Sequence, residues 1–477
     1  MNVLTDTLLT EQIARIFKSQ QVKAIELRAE QPAKRKERLR VLYNWIFAHR
    51  AEIQKAMHDD FKKPALEVDT SEIYPVVGEI RHTLSHLSEW TAPKKIDAPL
   101  SYFGTRSEVQ FEPKGVCLII SPWNFPFNLC IGPLVSCLAA GNTAILKPSE
   151  LTPHTSQLIS KLVREVFEEN VVAAVEGGPS ASAHLLTLPF DHIFFTGSPA
   201  IGKVVMKAAA ENLSSLTLEL GGKSPTIIDG TANLEDAARR IAFGKFLNNG
   251  QTCIAPDYVL VEEKVRDRFT AALKKWTLKL FGEGERISEN SAHYSRIVND
   301  RHYHRIHELI QDAIQRGASV DSLGTANAKE RFLPPVILTN VAADSKILEE
   351  EIFGPALPVI TFASQQEVVQ IVNAKPKPLA LYVFSKSNAF RNAILSQTSA
   401  GTACINDCVV QFTHPNLPFG GVNNSGIGKS HGHYGFMAFS NEKPVLKQKA
   451  GFSGAYLLYP PYTSAMRRIV NMLLKWF

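Results

Sequence analysis

Two residues in this sequence are of types that do acyl chemistry together. Glu219 stands in Leu218-Glu219-Leu220-Gly221-Gly222, and Cys253 in Asn249-Gly250-Gln251-Thr252-Cys253. A cysteine attacks as its thiolate, a form favoured by backbone N–H groups or a nearby cation. The small and amide-bearing residues ahead of Cys253 let backbone donors come close to the sulfur. Glu219 lies between leucines, a setting that raises a carboxylate's pKa and suits it as a base near neutrality. Taken singly, they read better as a buried structural cysteine and a surface glutamate. A third candidate is Asn124, in Ser121-Pro122-Trp123-Asn124-Phe125-Pro126. Its amide suits an oxyanion donor, although alone it reads more simply as a turn former.

The elements that would position these residues alternate between strand and helix. Val116 to Ile120 is a short apolar run, expected as a buried parallel strand, and the Pro122–Pro126 turn follows at its carboxyl end. Open α/β sheets hold their ligand sites at that end. A helix over Leu129–Ala140 leads to a strand over Thr143–Leu146, closed by Lys147-Pro148-Ser149-Glu150. There Lys147 could bond a ribose, and Glu150 could accept from the adenosine ribose hydroxyls, the mark of NAD over NADP. A surface pair closing a turn explains the same residues. His192–Phe195 reads as a strand entering Thr196-Gly197-Ser198-Pro199-Ala200-Ile201-Gly202 and a helix. That arrangement offers amide groups to a pyrophosphate, without the G-x-G-x-x-G spacing.

Residues 10 to 87 read as helical, with the apolar residues 41, 42, 45, 46, 47, 53 and 57 forming one buried face. Ser101 to Phe111 and Ser440 to Lys449 read as a ribbon outside the main sheet. Further strands are expected at Pro225–Ile228 and Tyr258–Val261, with helices over 234–247, 265–281 and 300–316, so a second parallel sheet follows. In the last fifteen residues Met466, Ile469, Val470, Leu473, Leu474 and Phe477 form one apolar helical face. That stripe must bury on the protein's own dimer or at a membrane surface. With three cations and about four turns, protein docking is the reading preferred.

Composition narrows the classes. Of 477 residues, 45% are hydrophobic and 21% charged, which is ordinary for a globular protein. The net charge of +6 is small and spread out, so nucleic acid is not an expected partner. Six cysteines show no metal-ligand spacing, so no metal is expected, and Cys117, Cys130 and Cys137 read as core. The amino-terminal residues lack a secretory pattern, and a reduced cytoplasmic setting is expected.

The segments around Glu219 and Cys253 together resemble the paired active-site signatures of the aldehyde dehydrogenase superfamily. The segment Glu350-Glu351-Ile352-Phe353-Gly354-Pro355 resembles a third family landmark, although a charged helix end stopped by Gly-Pro reads equally well. The early position of the nucleophile, His414-Pro415-Asn416-Leu417-Pro418-Phe419-Gly420-Gly421 and the Tyr459-Pro460-Pro461-Tyr462 tail resemble the class 3 branch. Asn424, just before Ser425-Gly426, departs from the glycine common there.

The resemblance implies NAD(P)-dependent oxidation of an aldehyde, medium-chain aliphatic or aromatic, to its acid. Cys253 would form a thiohemiacetal and then a thioester, with Asn124 as oxyanion donor and Glu219 as the base for water. Lys147, Glu150, Gly197, Ser198, Gly202, Glu351, Phe353 and Trp123 would hold the cofactor, NAD with NADP also possible. The implied fold is α/β. A variant Rossmann cofactor domain (1–90 and 114–216) joins a catalytic domain (217–408), both on parallel sheets. A β-ribbon (91–113 and 409–450) would bridge to a second subunit, and a tail (451–477) carries the amphipathic helix. Two rivals are a coenzyme A-acylating aldehyde dehydrogenase, which would not need Glu219, and a non-catalytic protein of this fold, which would not need Cys253.

Overall fold

The apolar runs spaced between helices become the strands of two sheets. The computed structural model describes residues 3–99, 102–451 and 453–476. One sheet has six strands, in the spatial order Gly426–Ile427, Ser215–Leu220, His192–Gly197, Val116–Ile120, Thr143–Lys147 and Val172–Ala174. All are parallel except the short Gly426–Ile427, which runs antiparallel to Ser215–Leu220. Val116–Ile120 and Thr143–Lys147 are buried along their whole length, as parallel strands covered on both faces must be. Cys117, Cys130 and Cys137 are fully buried in the core beside them.

The second sheet has seven strands, in the order Ser319–Ser322, Val336–Thr339, Ala356–Phe362, Tyr258–Glu262, Pro225–Ile228, Ala380–Phe384 and Thr402–Ile405. Only Ser319–Ser322 is antiparallel to its neighbour. The strand Ser215–Leu220, which carries Glu219, lies wholly in the first sheet and crosses the expected domain boundary at 216 and 217. A third sheet joins Lys94–Ile96, Thr105–Pro113 and Ser440–Gln448 as an antiparallel ribbon. Ser101, the expected start of that ribbon, and Phe477 lie outside the described residues.

The helices behind the first sheet keep most of the predicted apolar face. Leu42, Trp45, Ile46, Ile53 and Met57 are buried, whereas Val41 and Phe47 are 46% and 49% exposed. Helical spacing explains the split on the helix Pro32–Ala48: 42, 45 and 46 share a stripe, and 41 and 47 fall to its sides, while Ile53 and Met57 lie on the next helix, Arg50–Phe61. The tail helix spans Ser464–Trp476. Met466, Ile469 and Val470 are half-buried, while Leu473 and Leu474 are exposed. No helix among the described residues is long and apolar enough to cross a membrane.

A buried ion pair fixes the helices against the site. Lys63 Nζ donates to Glu72 Oε1 at 2.6 Å, with both side chains fully buried. Lys63 also lies 4.1 Å from the centre of the Phe125 ring, and Glu72 Oε2 accepts the Asn128 N–H at 2.9 Å. The pair therefore ties the π-helical turn Asp69–Ile73 to the turn that carries Asn124. Removing one partner leaves a buried charge alone. Glu72→Ala should cost about 3–5 kcal/mol in urea unfolding, and the double variant Lys63→Met/Glu72→Met should regain much of that loss. A single variant as stable as the parent would show that the pair is not needed.

Candidate active site

The carboxyl ends of the first sheet's strands and one loop of the second sheet meet at a single place. Glu219 lies near the end of its strand, Asn124 in the turn after Val116–Ile120, and Cys253 in the loop after the helix Leu234–Phe246. Glu219 and Cys253 line two adjoining cavities. The one that also takes in Asn124, Trp123, Gly197, Ser198, Glu351 and Phe353 spans about 810 Å³, part of it open to solvent. The other, of about 1070 Å³ and partly open to solvent, runs between the helix Tyr74–Trp90 and the segment 412–435.

The Cys253 loop is held by a left-handed turn. Asn248, Asn249 and Gly250 have φ of 53°, 55° and 73°, a region that Asn and Gly tolerate best. Most of their polar groups are bonded, although the Asn248 side-chain oxygen has no partner among the described residues. The Asn248 N–H donates to Glu67 Oε1 at 2.9 Å, and its side-chain amide donates to Asn124 O at 2.8 Å and Gln251 O at 3.2 Å. Asn249 Nδ2 donates to Ser295 O, and Gln251 Nε2 donates to Asn248 O and Arg296 O. Asn124 Nδ2 donates to Gln251 O at 2.9 Å. That leaves its second N–H for another acceptor.

Electrostatics at the site are set by burial. Glu219 Oε1 accepts from the Ser430 hydroxyl at 2.8 Å, while Oε2 has no partner among the described residues. Burial pushes Glu219 up to about 8, with Ser430 and Lys429 opposing. The Cys253 thiol is pushed up to about 12, first by burial and then by the charges of Glu351 and Glu219; its own N–H and that of Ile254 oppose. Backbone donors are therefore present, as the sequence suggests, but in the free protein burial and carboxylates outweigh them.

The first and last parts of the Glu219–Cys253 stretch are pinned together. Lys223 Nζ donates to the carboxylate of Asp257 and to the carbonyls of Ile347 (2.8 Å) and Glu350 (2.7 Å). Asp257 Oδ1 accepts the Ile352 N–H at 2.9 Å. This brings in Glu351, whose Oε1 accepts the Gly222 N–H at 3.0 Å. A Cβ at Gly221 would sit 2.3 Å from that carboxylate, so a side chain there would displace it. Arg305 binds the carbonyls of Glu351 and Ile352. Phe353, at φ 47°, packs edge-on to Trp123 at 5.3 Å, and His302 lies 5.0 Å from Trp123 on another side.

Other candidates lie beyond this cavity's lining. Lys147 is buried and donates to Pro148 O at 2.8 Å and Glu150 Oε2 at 3.3 Å, at the carboxyl end of its strand. Gly202 sits in the first turn of the helix Pro199–Glu211, where a Cβ would meet Leu220 at 2.8 Å. Asn424 lines a separate shallow pocket with Lys377 and Asn423. Ser430, His302, Arg305 and Glu67 are not singled out by sequence. Ser430 lies 211 residues from the carboxylate it bonds, and no local spacing could reveal that.

The smaller cavity fits a nicotinamide nucleotide. It offers the faces of Trp123 and Phe353, the amino end of a helix capped by Ser198, and the buried Thr196 hydroxyl, which has no partner among the described residues. A thiol, a carboxyl and an amide donor beside such a cavity are groups of the types that acyl chemistry uses.

Comparison with known proteins identifies the family. The aldehyde dehydrogenase family model matches residues 7–445, and the chain belongs to that family. It is 42% identical over 454 residues to the 4,4'-diaponeurosporen-aldehyde dehydrogenase of Staphylococcus aureus, covering 95% of this chain and 96% of that one. Identity to mouse aldehyde dehydrogenase family 3 member A2 is 40% over 428 residues, covering 90% and 87%. The solved substrate-bound state of Staphylococcus aureus AldH superposes with a TM-score of 0.92 at 39% identity, covering 99% of this chain and 100% of that one. The protein is thus an NAD(P)-dependent enzyme that oxidises aldehydes, with relatives of the class 3 type.

Gly250 is the position where the loop has least room. Its φ of 73° suits glycine, and a Cβ there would lie 2.2 Å from the Gly354 carbonyl oxygen. Gly250→Ala should therefore lower stability by about 1–3 kcal/mol and reduce kcat more than tenfold, read by thermal melting and NADH absorbance. Full activity in that variant would show that the turn does not position the cysteine.

Proposed function

We propose that Cys253 is the nucleophile, Asn124 the oxyanion donor and Glu219 the base that completes oxidation of the aldehyde. The observation that carries this reading is the shared cavity in which Glu219 keeps one oxygen unpartnered beside Cys253. The deprotonated sulfur of Cys253 adds to the carbonyl carbon, forming a C–S bond and an oxyanion. The free N–H of Asn124 and the Cys253 N–H stabilise that oxygen, a donor of this kind contributing about 3 kcal/mol. NAD(P)+, held by the residues assigned to it below, would supply the acceptor for the hydride that leaves that carbon. Glu219 then takes a proton from water, the hydroxide breaks the C–S bond, and the acid leaves with Cys253 regenerated. A base placed for water supports hydrolysis over transfer to coenzyme A.

Cys253→Ala should abolish both hydride transfer and acylation. Glu219→Gln should give one burst of NADH and then stall. In the wild type, the steady rate should rise with pH through about 8 as Glu219 ionises. Steady turnover by Glu219→Gln without a burst would move the base elsewhere, with Glu351 the nearest alternative.

Lys147, Glu150, Gly197, Ser198, Gly202, Glu351, Phe353 and Trp123 are assigned to the cofactor. Glu150 is exposed beside Lys147, and its charge opposes a 2′-phosphate, so NAD is the better cofactor. The ratio of kcat/KM for NAD and NADP should favour NAD and fall in Glu150→Ala. A wild type that prefers NADP would contradict this assignment.

The substrate proposed is a medium-chain aliphatic or aromatic aldehyde, which suits the largely apolar larger cavity. Six free cysteines fit a reducing compartment such as the cytoplasm. A homodimer is supported by the ribbon: Ser440–Gln448 is ladder-paired on one side, to Thr105–Pro113, and such an edge invites a partner strand. The exposed apolar side of the tail helix is assigned to the same dimer, with membrane-surface contact as the competing use. A chain ending at Tyr462 should form a weaker dimer in sedimentation and should not differ from the full chain in binding anionic vesicles. Tail-dependent vesicle binding with an unchanged dimer would reverse the assignment.

A further inference from the structure

The larger cavity holds a second carboxyl that the chemistry above does not use. Glu79, on the helix Tyr74–Trp90, lines it together with Cys253 and Glu219. Glu79 Oε1 accepts the Gly432 N–H at 2.8 Å. No cation forms an ion pair with it among the described residues. A carboxylate has about four acceptor sites, so this donor leaves room for others. Burial pushes Glu79 up to about 7, as befits a carboxyl set in an apolar wall. Gly435 makes room for its neighbour, since a Cβ there would meet Ser136 Oγ at 2.3 Å.

Apart from the Thr196 hydroxyl, unpartnered among the described residues, much of the surrounding wall is apolar or already bonded. Leu129, Phe194, Leu379, Phe412 and Phe419 are apolar. Asn128 Nδ2 is engaged by Ser71 O at 3.1 Å, and the Ser430 hydroxyl by Glu219. The His431 ring stacks on Phe419 at 5.2 Å and is held neutral by burial, pushed down to about 4. Glu79 is thus a polar acceptor in this wall with acceptor capacity left beyond its bond to the Gly432 N–H.

We propose that Glu79 receives a hydroxyl carried by the aldehyde away from its carbonyl carbon, making the enzyme selective for hydroxylated aldehydes over unsubstituted ones of equal length. The inference rests on the reading of Cys253 and Glu219 as the aldehyde-oxidising pair. A neutral hydroxyl can bond Glu79 in either protonation state of the carboxyl. An ammonium group would need the ionised form and would give up its hydration to enter an aromatic cavity, which is costly. Hydroxyl is therefore the group the cavity favours.

The test compares kcat/KM with NAD for alkanals from octanal to dodecanal with their ω-hydroxy and ω-amino counterparts. It uses the full-length wild type, Glu79→Gln and Glu79→Leu, with thermal melting as a check on folding. At one or more lengths the wild type should favour the hydroxy aldehyde by about tenfold. Glu79→Leu should bring that ratio to about one, and Glu79→Gln should keep part of it. A wild type with no hydroxyl preference at any length, or with a stronger amino preference, overturns the proposal. So does a preference that survives in folded Glu79→Leu. Turnover of plain alkanals separates the two readings. Its absence defeats the assignment of Cys253 and Glu219, whereas turnover without hydroxyl preference defeats only the role of Glu79.

Discussion

The site depends on three consecutive residues held in left-handed backbone. Asn248, Asn249 and Gly250 turn the chain so that Cys253 follows them into the gap between the two sheets. For the two asparagines that conformation costs on the order of 1 kcal/mol each. It persists because hydrogen bonds from several distant segments converge on it. Glu67 comes from the amino-terminal helices, Asn124 from the turn after a strand of the first sheet, and Ser295, Arg296 and Val298 from the second unit. The nucleophile's position is therefore a property of the whole fold. The buried Lys63–Glu72 pair matters for the same reason, since it steadies both Phe125 and the start of the following helix.

Burial is the second common cause. It pushes Glu219 to about 8, Glu351 and Glu67 to about 7, and the Cys253 thiol to about 12. The effects reinforce one another, because each carboxylate that ionises raises the cost of a thiolate beside it. Burial of this kind disfavours the charged form of each group. It also leaves Glu219 near the pKa a water-activating base needs.

Parts of both sheets are legible in the sequence. The runs at 116–120, 143–146, 192–195, 225–228 and 258–261 are apolar, short and bounded by turn residues, and each is a strand. The strands Val336–Thr339 and Ala380–Phe384 are as apolar, yet no motif marks them, and a short apolar run does not by itself distinguish strand from helix. The candidate site is legible as residue types but not as contacts. Glu219 and Cys253 stand in recognisable local settings, whereas the bonds from Ser430 to Glu219 and from Asn248 to Glu67 link segments that only the fold brings together. Glu79 gives no signal at all, because its meaning comes from the cavity that the helix Tyr74–Trp90 happens to wall. Val41 and Phe47 show the converse, apolar residues that the helical stripe leaves outside.

The central claim is that the aldehyde carbon is bonded to Cys253 during turnover. Peptide mass spectrometry of the enzyme, quenched in acid while it turns over a medium-chain aldehyde with NAD, tests this directly. The account predicts the acyl mass on the peptide that contains Cys253 and on no other cysteine. Acylation of Cys404 or Cys408 instead, or an unmodified Cys253 peptide during steady turnover, would contradict it.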